Sequence, residues 1–209
     1  MSETKVREAQ KPKRELVEKH LKIFEADDWR VATDEALDRL FEAFPRNCRI
    51  EEVYLKVVAL DDLYETGIKR RGTAATYDLA KEIRQLNIDS KLARGLPDVV
   101  DKIATIKVEG KKCGHVFASK YCHFHARDDY AIYENSFVEP LVYAYQVAWR
   151  QGSTHADLEE NYSKYKETVE SLRDRYKLTG FSFRQLDKFL WGYGREWDAI
   201  RPKRKKSKK

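Results

Sequence analysis

The stretch Gly110-Lys-Lys-Cys-Gly-His-Val-Phe-Ala-Ser-Lys-Tyr-Cys-His-Phe-His125, followed by Asp129-Tyr-Ala-Ile-Tyr-Glu-Asn-Ser-Phe137, is the most informative part of this chain. Gly110 and Gly114 supply backbone freedom for a tight turn, and the lysines between them make that turn basic. The run from His115 to His125 reads as a helix. A short loop then delivers Glu134 to the mouth of the next helix. The sequence of parts is therefore a basic hairpin over Lys107–Gly114, a helix, a loop and a helix-opening acid. Amides exposed by a glycine turn and by a following helix N-terminus bind phosphate well, with lysines alongside. A lysine-rich loop is otherwise a solvated surface, and both readings stand for Lys107, Lys111 and Lys112. Lys69, Arg70 and Arg71 form a second basic loop of the same kind.

Working outward, the helical period dominates. Leu16, Val17, His20, Leu21 and Phe24 mark a first amphipathic helix ending near Asp28. A second is expected from Asp34, with Leu37, Leu40, Phe41 and Phe44 on one face and Pro45 as its stop. Ile50 to Leu60 is largely apolar and reads as the central helix, and Ala75 to Leu86 as another. Leu96-Pro97-Asp98 opens a short helix to Ile106, with proline suited to the first turn. Helices over 134–150, 157–176 and 183–197 bring the expected total to roughly nine. Gly192 and Gly194 are expected to loosen the end of the last. The only strand-like alternation, Thr105-Ile-Lys-Val108, is too short to found a sheet. The predicted fold class is all-α, a single multi-helix unit over residues 1–200.

Composition sets outer bounds. The 209 residues suffice for one real core, and 42% hydrophobic with 36% charged residues suits a helix-rich globule. No apolar run approaches the ~18 residues of a membrane span, and the N-terminus lacks the apolar stretch of a signal peptide. Three cysteines, Cys48, Cys113 and Cys122, cannot all pair, so a reducing cytoplasm is the expected home. The net charge of +6 is concentrated at one end. Residues 201–209 hold seven of the 41 basic residues, leaving 34 basic against 35 acidic residues before them. This stretch reads as a disordered polybasic tail. Such a tail binds phosphate without sequence preference, keeps a chain in solution, or meets an acidic partner.

The layout of hairpin, helix, loop and acid resembles the helix-hairpin-helix DNA glycosylase superfamily. There the hairpin is Leu-Pro-Gly-Val-Gly, matched here by Val108-Glu-Gly110 and Gly114, and the acid is an aspartate about eighteen residues beyond the start of the second helix, matched by Glu134. Val57 to Arg71 followed by Ala75–Leu86 resembles the family's buried helix, polar turn and departing helix. The likeness spans about residues 50–150. A narrower one is to uncharacterised bacterial proteins with a Lys-Tyr-Cys helix and an Ile-Tyr-Asp-Ser loop. The resemblance implies duplex DNA as partner, Glu134 as the catalytic carboxylate, and Tyr64 as the wedge filling the place of an extruded base. It also implies phosphate contacts from Lys107, Gly110, Lys111, Lys112, Gly114 and His115, with Lys69, Arg70 and Arg71 nearby. Counting back eighteen residues from Glu134 reaches Val116, not the lysine of the family's lyases. Any activity is therefore expected to be monofunctional hydrolysis of an N-glycosidic bond, where a carboxylate stabilises the cation-like sugar.

Each assignment has a plainer counterpart. Glu134 as a helix-opening acid favours the helix dipole. Tyr121, Tyr130, Tyr133, Tyr143, Tyr145 and Trp149 sit at helical spacing and belong in the core rather than under bases. Cys113, His115, Cys122, His123 and His125 fall within thirteen residues, but zinc-type spacing is missing, and the expectation is no metal and no cofactor. Three functions follow: a DNA-binding protein related to base-excision glycosylases, a non-catalytic nucleic-acid-binding or defence-associated module, or a scaffold for a protein partner.

Overall fold

The computed structural model describes residues 9–149 and 153–199. Among them it is predominantly helical, with eleven helices and two short strands, so the all-α class stands. Among the described residues no helix is long and apolar enough to cross a membrane. The predicted tail, 201–209, lies outside the described residues.

The chain enters through α1 (Arg14–Glu25), whose Val17, His20 and Leu21 are buried. Helix α2 (Asp28–Ala43) begins at Asp28, six residues earlier than expected, because Asp27 caps it by accepting from the Arg30 amide. Helix α3 (Ile50–Leu63) buries Val53, Val57 and Leu60, and α4 (Ala75–Gln85) packs against it through Ala75, Leu79 and Ile83. A 3₁₀ turn at Lys69–Arg71 joins them. After a short α5 (Asp89–Leu92), α6 (Asp98–Thr105) leads into the hairpin. Its strands, β1 (Lys107–Val108) and β2 (Lys111–Lys112), pair antiparallel with Lys107 opposite Lys112. Glu109 (φ 49°) and Gly110 (φ 73°) form the turn. Two consecutive left-handed residues are what a tight two-residue hairpin loop demands.

Helix α7 (His115–His125) returns beside α6 and is buried on every side from Phe117 to Phe124. That all-round burial makes α7, not α3, the axis of the molecule. Beneath it lies an unforeseen buried cation. Lys56 has no exposed surface, and its ammonium donates to the carbonyls of Phe44 and Arg46 (both 2.9 Å) and to Asn47 Oδ1 (3.0 Å). Burial lowers its pKa to about 8. It ties the α2–α3 connection beneath α7.

The C-terminal third departs from the predicted boundaries. The helix expected from Glu134 starts at Val138 (α8, Val138–Ala148). The single helix expected over 157–176 is two, α9 (His155–Glu160) and α10 (Tyr162–Arg175), because Asn161 is extended and its side chain caps α10. Helix α11 (Phe183–Ala199) packs on α1 and α8. Gly192 and Gly194 do not loosen it. A Cβ at Gly192 would lie 3.0 Å from the His20 ring and one at Gly194 3.0 Å from the Phe137 carbonyl oxygen, so both glycines admit close packing. Of the aromatic group, Tyr121, Tyr130, Tyr133 and Tyr145 are buried in the core, while Tyr143 and Trp149 pack at its edge.

Candidate functional site

Helices α2, α7 and α11, the end of α3 and the loop before α8 enclose a cleft. One cavity of about 240 Å³ is lined by Phe24, Trp29, Tyr64, Lys120, Asp187 and Trp191 among others. It adjoins a wider one of about 630 Å³ that reaches Gly114, His115 and Val116 at the start of α7. Tyr64, Glu65, Lys120, Glu134 and Trp191 line both, so the two form one continuous depression. Its size suits a small ligand or part of a larger one.

Glu134 lies on this wall, half-buried, after the buried Ile132 and Tyr133. Both its oxygens are in use. Oε1 accepts from the Ser136 amide at 2.8 Å, and Oε2 from Phe137 at 3.0 Å and Val138 at 3.4 Å. The carboxylate therefore orders the turn that starts α8 while facing the cleft. The plainer reading of a helix-opening acid and the lining position are both realised by one side chain.

Sequence reasoning gave no role to the residues at the centre. Lys120 is 7% exposed. Burial holds its amine below the ordinary lysine range, against the opposing pull of Asp187 and then Glu134. Asp187 is raised to about 7, first by burial and second by Asp34, with Lys120, Arg184 and Lys188 pulling the other way. Lowering an amine's pKa favours its unprotonated, nucleophilic form, and a carboxyl near 7 exchanges protons at neutral pH. Signals for both were present. Lys120 is a cation in the middle of a helix whose neighbours are apolar, and charged residues are almost never buried without partners. Asp187 falls four residues after Phe183 and three before Leu190, inside the apolar stripe of α11.

Tyr64 does not project as a free wedge. Its hydroxyl donates to Asp34 Oδ1 (3.1 Å) and its ring packs on Phe124 at 5.6 Å, with the Lys120 ammonium 5.1 Å from the ring centre. Asp34 in turn pairs with Arg184 and with Lys188 (3.1 Å), so the cleft floor is a fixed ionic network.

The hairpin stands at the wider end. Gly114 (φ 90°) turns the chain into α7, leaving the first amides of that helix without intrahelical partners. Lys107, Lys111 and Lys112 are exposed. Lys107 and Lys112 oppose each other directly, an unfavourable pairing of like charges that an anion between them would relieve. Arg71 is not available to a ligand in the same way. Its guanidinium donates to the carbonyls of Lys111 (3.1 Å), Lys112 (2.9 Å) and Cys113 (3.3 Å), locking the basic loop onto the hairpin. Lys69 is paired with Asp62, and Arg70 is exposed. His115 is held inside the fold, with Nε2 2.8 Å from Asp101 Oδ1 and Nδ1 2.9 Å from the Glu159 carbonyl. The remaining histidine and cysteine residues are dispersed: Cys113 and Cys122 are buried thiols, and His123 Nδ1 donates to the Tyr130 carbonyl at 2.7 Å. Among the described residues no group of three or more His, Cys, Asp or Glu side chains is placed to hold a metal ion.

Residues 16–129 match the model of the family described as HI_0787_N, N-terminal domain. The match covers more than half of the chain, which belongs to this family. The chain is also 29% identical over 149 residues to an uncharacterized protein of Haemophilus influenzae, a match covering 70% of this chain and 68% of that protein. No solved structure matches the chain. The family-defined part contains the hairpin, Trp29, Tyr64 and Lys120, whereas Glu134 and Asp187 lie beyond it.

Proposed function

We propose that this member of the HI_0787_N family is a DNA-binding protein of base-excision type, acting on a nucleotide extruded from the duplex into the cleft between α7 and α11. The observation that carries the reading is the placement of Lys120 and Glu134 in one aromatic-walled cleft that opens onto the glycine hairpin. A base inside a duplex is out of reach of any side chain, so such chemistry needs a pocket that receives the extruded base and a surface that holds the backbone. Exposed Lys107, Lys111 and Lys112, with the Gly110 amide and the first amides of α7, serve as that surface; the Gly114 amide is not part of it, since it donates to the Ala104 carbonyl at 2.9 Å.

In this reading Glu134 stabilises the positive charge that develops on the sugar as the N-glycosidic bond breaks. The neutral Lys120 amine attacks the anomeric carbon: the Nζ–carbon bond forms as the carbon–base bond breaks, and Nζ gives a proton to the Asp187 carboxylate, which passes it to the departing base. The bond from that carbon to the ring oxygen then breaks, the ring oxygen takes a proton from water, and the iminium left on Nζ is the species that hydride reduces. This departs from the water-dependent hydrolysis expected from sequence. The test is hydride trapping on duplexes containing abasic sites and on a panel of damaged or mismatched bases. Lys120-dependent covalent trapping is the expected result, lost in Lys120→Met and strongly reduced in Glu134→Gln, which keeps an acceptor for the capping amides. Base release without trapping returns the nucleophile to water.

A non-catalytic nucleic-acid-binding module is the second reading, favoured by the capping bonds that already occupy both Glu134 oxygens. Salt-sensitive duplex binding with neither base release nor trapping identifies it.

A further inference from the structure

We infer that Trp29 is the stacking platform of the cleft, its indole receiving the face of an unpaired nucleobase. The inference rests on the nucleic-acid reading above and adds to it the side chain that meets the base. Trp29 is 66% exposed, more than any other large apolar side chain among the described residues, and it lines the smaller cavity. The other rings there have partners. The Phe24 ring carries the Lys188 ammonium at 4.2 Å, Tyr64 packs on Phe124, and Trp191 is met by Arg30 at 4.5 Å and Arg195 at 4.7 Å. Among the described residues neither a ring nor a cation stacks on Trp29.

Its exposure is not that of a loose chain end. Trp29 is the second residue of α2, where Asp27 accepts from the Arg30 amide and pairs with the Arg30 guanidinium at 2.8 Å. The backbone that carries this large apolar surface is thus fixed at the mouth of the pocket. The adjacent Asp28 is exposed and opposes a phosphate at that point, so the ring suits the uncharged face of a base rather than the backbone. Stacking on an indole is tolerant of base identity because every base has a π-face.

The test compares two fluorescein-labelled duplexes, one fully paired and one with a central mismatch whose bases leave the stack at lower cost. Trp29→Ala is expected to weaken binding of the mismatched duplex about tenfold and to leave the paired duplex within about twofold. Trp29→Phe retains most of the affinity, and the mismatched duplex quenches tryptophan emission more in the native protein than in Trp29→Phe. An unchanged melting temperature shows that each variant is folded. Equal binding of the mismatched duplex by Trp29→Ala and the native protein, or an equal loss on both duplexes, overturns the inference and leaves the nucleic-acid reading in place. A native protein that binds neither duplex overturns both.

Discussion

His123 shows how far one buried side chain departs from its ordinary behaviour. It is 1% exposed on the all-round buried helix α7, with Nδ1 donating to the Tyr130 carbonyl. Burial lowers its pKa from 6.5 to about 4; the Tyr130 bond, Asp34 and Asp128 act in the raising direction and Arg184 in the lowering one. Between those two values the unfolded chain binds more protons than the folded one, so stability falls as pH drops through that window. The loss expected from His123 is about 3 kcal/mol, and His125, also held well below its ordinary value, adds to it. His123→Asn keeps a donor for the Tyr130 carbonyl and removes the titration. Denaturant unfolding at pH 7 and pH 4.5 is expected to show a smaller acid loss in the variant. An identical acid limb in both proteins would sink this account. Lys120 and Asp187 follow the same logic at the cleft, where burial rather than residue type sets their chemistry.

At the scale of elements, the loop before α8 is positioned from two sides. Glu134 ties its turn to the α8 amides, and α11 presses against it at Gly194. Replacing a helical glycine by alanine ordinarily stabilises by about 1 kcal/mol. Here the new methyl would meet the Phe137 carbonyl oxygen at 3.0 Å, and a backbone atom cannot swing aside as a flexible side chain does. Overpacking costs about 1–3 kcal/mol, so Gly194→Ala is expected to lower stability by roughly 1 kcal/mol net and to displace Glu134. Thermal melting and the amide shifts of Ser136 and Phe137 report the two effects. A more stable variant with unmoved shifts would show that the loop yields freely. The hairpin shows the complementary case: no atom lies within 4 Å of a Cβ built at Gly110 or Gly114, and the positive φ alone explains those glycines.

For the whole molecule, charge and packing separate. The seven basic residues in 201–209 lie against a remainder of nearly balanced charge. Each phosphate contact contributes about 0.9 to the slope of binding against salt. Removing 201–209 is expected to reduce that slope by several units while leaving any preference for a mismatched over a paired duplex intact. Unchanged salt dependence in the shortened protein would remove the tail from the interface. The helical class, the basic hairpin with its glycines, and the order helix, hairpin, helix, loop, acid were legible in the sequence, because they rest on periodicity and local backbone freedom. The starts of α2 and α8 and the break at Asn161 were not, since Asp27, Glu134 and Asn161 cap through side chains whose direction no spacing records. Nor was the partnership of Lys120 with Asp187 and Glu134, or the approach of Trp29 to them. Those residues stand 91, 67 and 14 or more positions apart along the chain. Local sequence determined which helices form and where the hairpin turns; only the tertiary packing of α2, α7 and α11 decided which charges lost their water and came to share one cleft.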